Sequence, residues 1–259
     1  MNIVVCVKYV PDAQADRKFD ADNTTDRVGV DGLLSELDEY AVEEALALVE
    51  ASEGEVTVLT VGPDDAVDAI KKALQMGADK GVHICDETIA GSDAPATSLV
   101  LAEAIKKLGP VDVVITGMAS TDGTMGVLPA MLAERLGLPQ VTFASELSVE
   151  GGTVSIRRDG ADASETVEAS LPAVVSVTDQ INEPRYPSFK GIMAAKKKPV
   201  ETWSLADLGV DAGQVGLDAA WTKVESVEAR PPRSQGEIVT DEGEGGKALA
   251  EFLASRKFV

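Results

Sequence analysis

The stretch TGMASTDGTMGVLPAMLAERLGLPQ, residues 116–140, holds the residue types and spacing best suited to binding chemistry. A Val/Ile-rich run over 111–116 enters Gly117, a loop of small residues follows over 119–126, and a helical pattern then runs to Gly137. Pro129 suits a first helical turn, where its missing N–H costs nothing. The free main-chain N–H groups from about Gly123 to Leu128 should then face the loop at the carboxyl end of a strand. Open α/β sheets bind ligands there, and a helix N-terminus behind a small-residue loop suits a phosphate. An ordinary strand-to-helix turn has the same composition, so spacing alone leaves both readings open.

Side-chain catalysis lacks its usual parts. The single histidine, His83, lies in a strand-like run, where a satisfied core or edge residue is the simpler reading. Without it no Ser/His/Asp or Cys/His set can be assembled, no Cys/His spacing fits zinc, and neither GxxxxGK[ST] nor GxGxxG occurs. Redox or catalytic chemistry would have to be carried by a bound cofactor. A second stretch, NEPRYPSFKGIMAAKKK over 182–198, holds Arg185, Lys190 and Lys196 to Lys198 with no acid after Glu183, in a chain of formal net charge −21.

The elements that must position these residues alternate. NIVVCV, EVTVLTV, GVHIC and VDVVIT read as strands buried on both faces of a parallel sheet. Between them Val42, Ala45, Leu46 and Val49 repeat at helical spacing, as do Val67, Ile70 and Leu74, with a third helix over 99–108. Ser35 with Asp38 reads as a capping box, and Gly77, Gly109 and Gly137 sit where helices stop. Strands joined by single helices imply βαβ crossovers and a doubly wound sheet. After Gln140, VTFASELSVEGGTVSIRR reads as a hairpin around Gly151-Gly152, followed by ETVEASL and AVVSVTD, so an antiparallel ribbon is added to the parallel sheet. Other strand ends, at Cys6–Val7, Val61 to Pro63 and the loop before Ser35, should border the crevice of Gly117. Asp38 and Glu39 would repel a phosphate, so that wall better suits a sugar or base.

Composition sets the outer limits. The length, 259 residues, suits one large α/β domain with an extension, here read as a domain over 1–198 and an arm over 199–259. Residues 228–246 are rich in Pro, Gly and charge and cannot bury much apolar surface, and a last amphipathic helix follows over about 247–255. Such an arm suits reaching to a partner. The excess of 44 acids over 23 Lys+Arg repels phosphate backbones, which argues against nucleic acid. Cys6 and Cys85 in apolar runs form neither a disulfide framework nor a metal cluster, which points to a reducing compartment. With no signal-peptide pattern and no apolar run near ~18 residues, the expected location is the cytoplasm.

VCVKYVPD, DEYAVEEAL, KALQMGADKGVHI, GMASTDGTMG with LGLPQ, and INEPRYPSFKGIMAAKKK closely resemble the beta subunit of electron-transfer flavoproteins, collinearly over nearly the whole chain. The resemblance implies an adenine-nucleotide alpha-hydrolase-like fold and an alpha-subunit partner. It implies one FAD held mostly by alpha, and an AMP buried in this subunit. Electrons would come from flavin dehydrogenases, such as those of fatty acid beta-oxidation, and leave to an acceptor such as the electron-transfer flavoprotein-quinone oxidoreductase. By position, the AMP pocket would comprise Cys6, Ser35, Val61, Gly117, Ala119, Ser120, Thr121, Asp122, Gly123, Thr124, Met125, Gly126, Val127 and Leu128. The recognition segment would comprise Arg185, Tyr186, Phe189, Lys190, Ile192 and Met193, with Phe189 as the inserting anchor beside the guiding charges Arg185 and Lys190. The chain departs from the conventional pattern at three places. Gly126-Val127-Leu128 replaces Asn-Gln-Thr, Ser35 replaces Asn, and Ala13 stands where an aromatic lies near the flavin. Phosphate contacts would then rest on main-chain N–H groups. Another branch places a second FAD in this site and splits electron pairs between acceptors. A different reading, a stand-alone nucleotide-binding module of the stress-protein type, explains the loop but neither the 182–198 segment nor the arm.

Overall fold

The computed structural model describes residues 1–233, 236 and 238–259. In chain order the strands are β1 (Asn2–Cys6), β2 (Tyr9–Pro11), β3 (Gly32–Leu34), β4 (Glu55–Val61), β5 (Lys80–Ile84), β6 (Val113–Gly117), β7 (Gln140–Glu150), β8 (Thr153–Asp159), β9 (Ser164–Ser170), β10 (Ala173–Val177) and β11 (Val200–Trp203). The α-helices are α1 (Glu36–Ala51), α2 (Val67–Met76), α3 (Ala94–Leu108), α4 (Leu128–Leu136), α5 (Phe189–Ala195), α6 (Leu205–Leu208) and α7 (Gly245–Ser255).

Among the described residues, nine strands form one sheet in the order β11-β5-β4-β1-β6-β10-β7-β8-β9, and β2 pairs with β3 apart from it. Pairing is parallel from β11 through β7 and antiparallel across β7-β8-β9, the doubly wound sheet with an added hairpin that the strand and turn signals predict. The hairpin turns at Gly151 and Gly152, whose φ values of 56° and 80° a side chain would resist.

Strand period 2 splits the core. Ile3 and Val5 of β1 join Val56, Val58, Val113 and Ile115 under α1 and α2, whereas Val4 and Cys6 join Leu59, Val82, Val114 and Val174 with residues of α3 and α4. Both faces are covered, which is why these strands read as unbroken apolar runs. Gly77, Gly109 and Gly137 do end α2, α3 and α4. His83 is buried, and its Nε2 lies 3.1 Å from the Gly62 carbonyl oxygen, a satisfied core position.

Two compact units emerge, Met1–Glu225 and Ser226–Val259. The composition-based boundary at Lys198 falls just before β11, which still pairs with β5 at the edge of the main sheet. VETW buries little and its acid reads as surface, so composition gave no strand signal there. The second unit carries α7, introduced by Asp241, whose carboxylate accepts from the N–H groups of Gly243 and Gly245. No helix among the described residues is long and apolar enough to cross a membrane.

Candidate functional site

Strand order reverses between β1 and β6: from β1 the chain builds outward to β4 and β5, then returns to β6 on the other side. The crevice beyond their carboxyl ends is where such sheets bind ligands. Gly117 ends β6 there. A Cβ on it would lie 2.5 Å from Asp38 Oδ1 and 2.7 Å from the Leu37 carbonyl oxygen, so only hydrogen lets the first turn of α1 approach. Asp38 Oδ2 in turn accepts from the Lys8 N–H at 2.8 Å, tying the exit of β1 to α1.

Ser35 is the N-cap of α1, but the expected capping box does not form. The Asp38 N–H donates to the Ser35 main-chain oxygen at 2.8 Å, and the Asp38 carboxyl is turned toward β1 and β6 instead. Ser35 Oγ is left buried without a hydrogen-bond partner among the described residues. Burial pushes the Asp38 carboxyl up to about 7, against the pull of the Lys8 N–H and charge. Burial, then the Asp38 charge, pushes the Cys6 thiol up to about 12, which leaves it a protonated wall residue rather than a nucleophile.

The loop over 117–128 is held from within and without. Gly123 N–H donates to Asp122 Oδ1 at 2.6 Å and to Ser120 Oγ at 3.2 Å, and Thr124 N–H donates to the Ser120 oxygen at 3.0 Å. The N–H groups of Met125, Gly126, Val127 and Leu128 have no partner among the described residues. The free window is thus narrower than the sequence predicts, because Gly123 and Thr124 close the loop on itself. Thr124 holds φ 52° and Gly126 φ 66°, a left-handed bend that a β-branched residue adopts only under strain.

Asp122 is the hub. Lys8 Nζ reaches its Oδ1 at 2.9 Å and Arg27 Nη2 its Oδ2 at 2.6 Å, with the Asp122 side chain only 3% exposed. Burial works against its ionisation, but the Lys8 charge, the Ser120 hydroxyl and the Arg27 charge outweigh it and hold the carboxyl far below the usual range. Arg17 Nη2 donates to the Thr121 oxygen at 2.7 Å, while Thr121 Oγ1 is buried with no hydrogen-bond partner among the described residues. Lys8 and Arg27 pair with Asp122 while Arg17 holds the Thr121 oxygen, which gathers three cations at this rim in a chain of net charge −21. Free N–H groups, two orphaned hydroxyls and a cationic rim fit a phosphate-bearing ligand. Sequence reasoning missed Arg17 and Arg27; an acid inside a phosphate-type loop demands counter-charge, and that was the available signal.

Cys6, Ser35, Asp38 and the 117–128 loop meet at this crevice, while Val61 lies one strand over, at the end of β4. The 182–198 segment forms a separate surface. Arg185 does not project as a guiding charge: its Nε and Nη2 donate to Glu43 at 2.8 and 2.9 Å, and its Nη1 and Nη2 to Glu50 at 2.6 and 3.0 Å. Asn182 Nδ2 adds bonds to the Tyr40 oxygen and Glu44 Oε2, both at 3.1 Å. Glu43 and Glu50 lie seven residues apart on one face of α1, a spacing that foretells one shared cation. At the far end Lys198 Nζ caps α2, donating to the oxygens of Leu74, Gly77 and Ala78 at 3.1, 2.8 and 2.6 Å.

Between these fastenings lies α5, a short helix within the 182–198 segment, for which the sequence alone suggested no element. Ser188 caps it by accepting from the Gly191 N–H at 3.0 Å. Gly191 is required, since a Cβ there would lie 2.5 Å from the Gln75 oxygen of α2. Tyr186 and Phe189 are left 94% and 81% exposed, beside exposed Lys190, Ile192 and Met193.

Fold and crevice together define a class: an open, doubly wound α/β protein whose ligand-type loop lies at the switch point of its sheet. Residues 22–208 match the electron transfer flavoprotein domain family. The chain is 49% identical, over its full length and 99% of the relative, to the electron transfer flavoprotein subunit beta of Mycobacterium leprae. It is 35% identical to the subunit of the same name from Megasphaera elsdenii, over 99% of this chain and 97% of the relative. It is 34% identical to the caffeyl-CoA reductase-Etf complex subunit CarD of Acetobacterium woodii, over 93% of this chain and 92% of the relative. This chain belongs to the electron transfer flavoprotein family, among its beta subunits.

Proposed function

We propose that this chain pairs with an electron-transfer flavoprotein alpha subunit to form a heterodimeric electron carrier. The carrier takes electrons from flavin dehydrogenases, such as acyl-CoA dehydrogenases, and delivers them to a quinone oxidoreductase or similar acceptor. FAD, held mostly by alpha, supplies the redox chemistry when bound. This chain contributes a structural AMP site in the crevice and a docking face on 182–198. The crevice carries the reading: unpaired N–H groups of Met125 to Leu128 stand beside the Lys8, Arg17 and Arg27 cations, with Ser35 Oγ buried and unpartnered. Asp38 fits the sugar or base side, since a phosphate would meet its carboxylate. Both cysteines are free, in keeping with a cytoplasmic location.

A second reading places FAD in the crevice as well, in a complex that splits electron pairs. Gly126, Val127 and Leu128 offer a phosphate only main-chain N–H groups, and such a cradle accepts the diphosphate of FAD as readily as a monophosphate. Denaturing the purified heterodimer and quantifying released nucleotide decides between them. One FAD with one AMP supports the carrier; two FAD without AMP supports the second reading; a complex without flavin refutes both.

A further inference from the structure

The excursion between β2 and β3 is not an idle loop. Its centre is a small hairpin: Phe19 bridges Thr25, the Asp20 N–H donates to the Thr24 oxygen at 2.9 Å, and the Asp26 N–H to the Lys18 oxygen at 3.0 Å. Pairing of 18 with 26 places Arg17 and Arg27 side by side at the hairpin's base. They reach adjacent residues of the crevice loop, Arg17 the Thr121 oxygen and Arg27 the Asp122 carboxylate. Arg17 Nη1 and Arg27 Nη1 also donate to the oxygens of Pro11 and Tyr9, at 3.4 and 3.3 Å, which fixes both guanidinium groups against β2. The exit of the hairpin is set by Asp26, which accepts from the Val28 and Gly29 N–H groups at 3.0 and 2.7 Å. At the tip, Asn23 Nδ2 donates to the oxygens of Val224 and Glu225, at 3.3 and 3.2 Å.

We propose that this hairpin is a two-arginine clamp, with Arg17 and Arg27 as positioning residues that hold the 117–128 loop so that its free N–H groups converge on a ligand phosphate. The clamp rests on the reading of the crevice as a nucleotide site. Its physical basis is the closed chain of bonds: Arg27 and Lys8 fix Asp122, Asp122 accepts from Gly123, and Ser120 accepts from Gly123 and Thr124, directly before the free window. Losing either arginine frees one side of the loop while Lys8 still neutralises Asp122, so the fold should survive.

The test uses the heterodimer in wild-type form and as R17M, R27M and R27K. Nucleotide retained in the crevice is followed during dialysis, as AMP or as the second FAD, together with amide exchange at Gly123 and Thr124. R17M and R27M should each lose nucleotide about tenfold faster, the loss of one charge-assisted hydrogen bond. Exchange should rise at Gly123 and Thr124 but not in β1 or β6, and R27K should restore most of the retention by re-pairing Asp122. Unchanged retention and exchange in both methionine variants would overturn the clamp, as would R27K behaving like R27M. A wild-type complex with an empty crevice after purification would refute the nucleotide reading instead. Loop exchange alone then decides, and parity between R27M and wild type overturns the clamp.

Discussion

Replacing Arg185 with Met removes the fastening between the basic segment and α1 while keeping an apolar stem. The structure sets the magnitude. The bond to Glu43 is charge-assisted, two-pronged and partly buried, with the Glu43 side chain 12% exposed, and hydrogen bonds to charged groups contribute about 1.5–3 kcal/mol. The Glu50 arm, 59% exposed on the acid side, adds only about 0.5 kcal/mol after solvent screening. A loss of about 2 kcal/mol follows, or about 4–8 °C in Tm for a unit of this size. Glu50 is held below its ordinary value by the Arg185 hydrogen bond. A depressed carboxyl gives stability above its unfolded value near about 4.3 and loses it as pH falls through the lower folded value. The gap between wild type and R185M should therefore be level from neutral pH upward and narrow in acid. Thermal melts at several pH values read both effects, and a cycle with E43Q isolates the pair. A Tm for R185M within about 1 °C of wild type would refute the argument, showing that other contacts hold the segment.

Gly117→Ala should disrupt the crevice more than the core: its Cβ meets the Leu37 oxygen and Asp38, so nucleotide content should fall with a stability cost of about 1–3 kcal/mol, measured by urea unfolding. For Asp38 the folded value is raised, so the folded state binds the extra proton between about pH 4 and 7, and its contribution to stability declines as pH rises through that window. D38N should lose that slope, and identical pH profiles of the urea midpoint would contradict the buried carboxyl's role. Phe189→Ala should leave the unfolding free energy within about 0.5 kcal/mol of wild type, since the ring is exposed, yet slow electron transfer with a dehydrogenase at unchanged flavin content. Unchanged rates would place the docking anchor elsewhere.

The sheet was legible because its strands, buried on both faces, leave unbroken apolar runs, and because Gly77, Gly109 and Gly137 punctuate the helices between them. The short elements were not. β2, β3 and β11 bury few residues and carry no periodicity, and α5 follows a Pro-punctuated stretch that masks it. The crevice loop was readable from Gly117, the small residues and Pro129, but the choice of donors was not. Which N–H groups remain free depends on Ser120 and Asp122 closing the loop, and that is a matter of three dimensions. Arg185 shows the same limit: sequence displays its charge, while only the fold reveals that Glu43 and Glu50 consume it.

That consumption changes how the protein meets a partner. With Arg185 and Lys198 engaged internally, the exposed cations of 182–198 are Lys190, Lys196 and Lys197, a local patch on a molecule of net charge −21. Beyond a Debye length of about 8 Å at physiological salt an approaching body feels the screened total, and only within that distance the three lysines. An acidic partner is repelled on approach and attracted at contact. Added salt should then quicken its encounter and shorten its stay, so that rate and residence time move in opposite directions along one ionic-strength series.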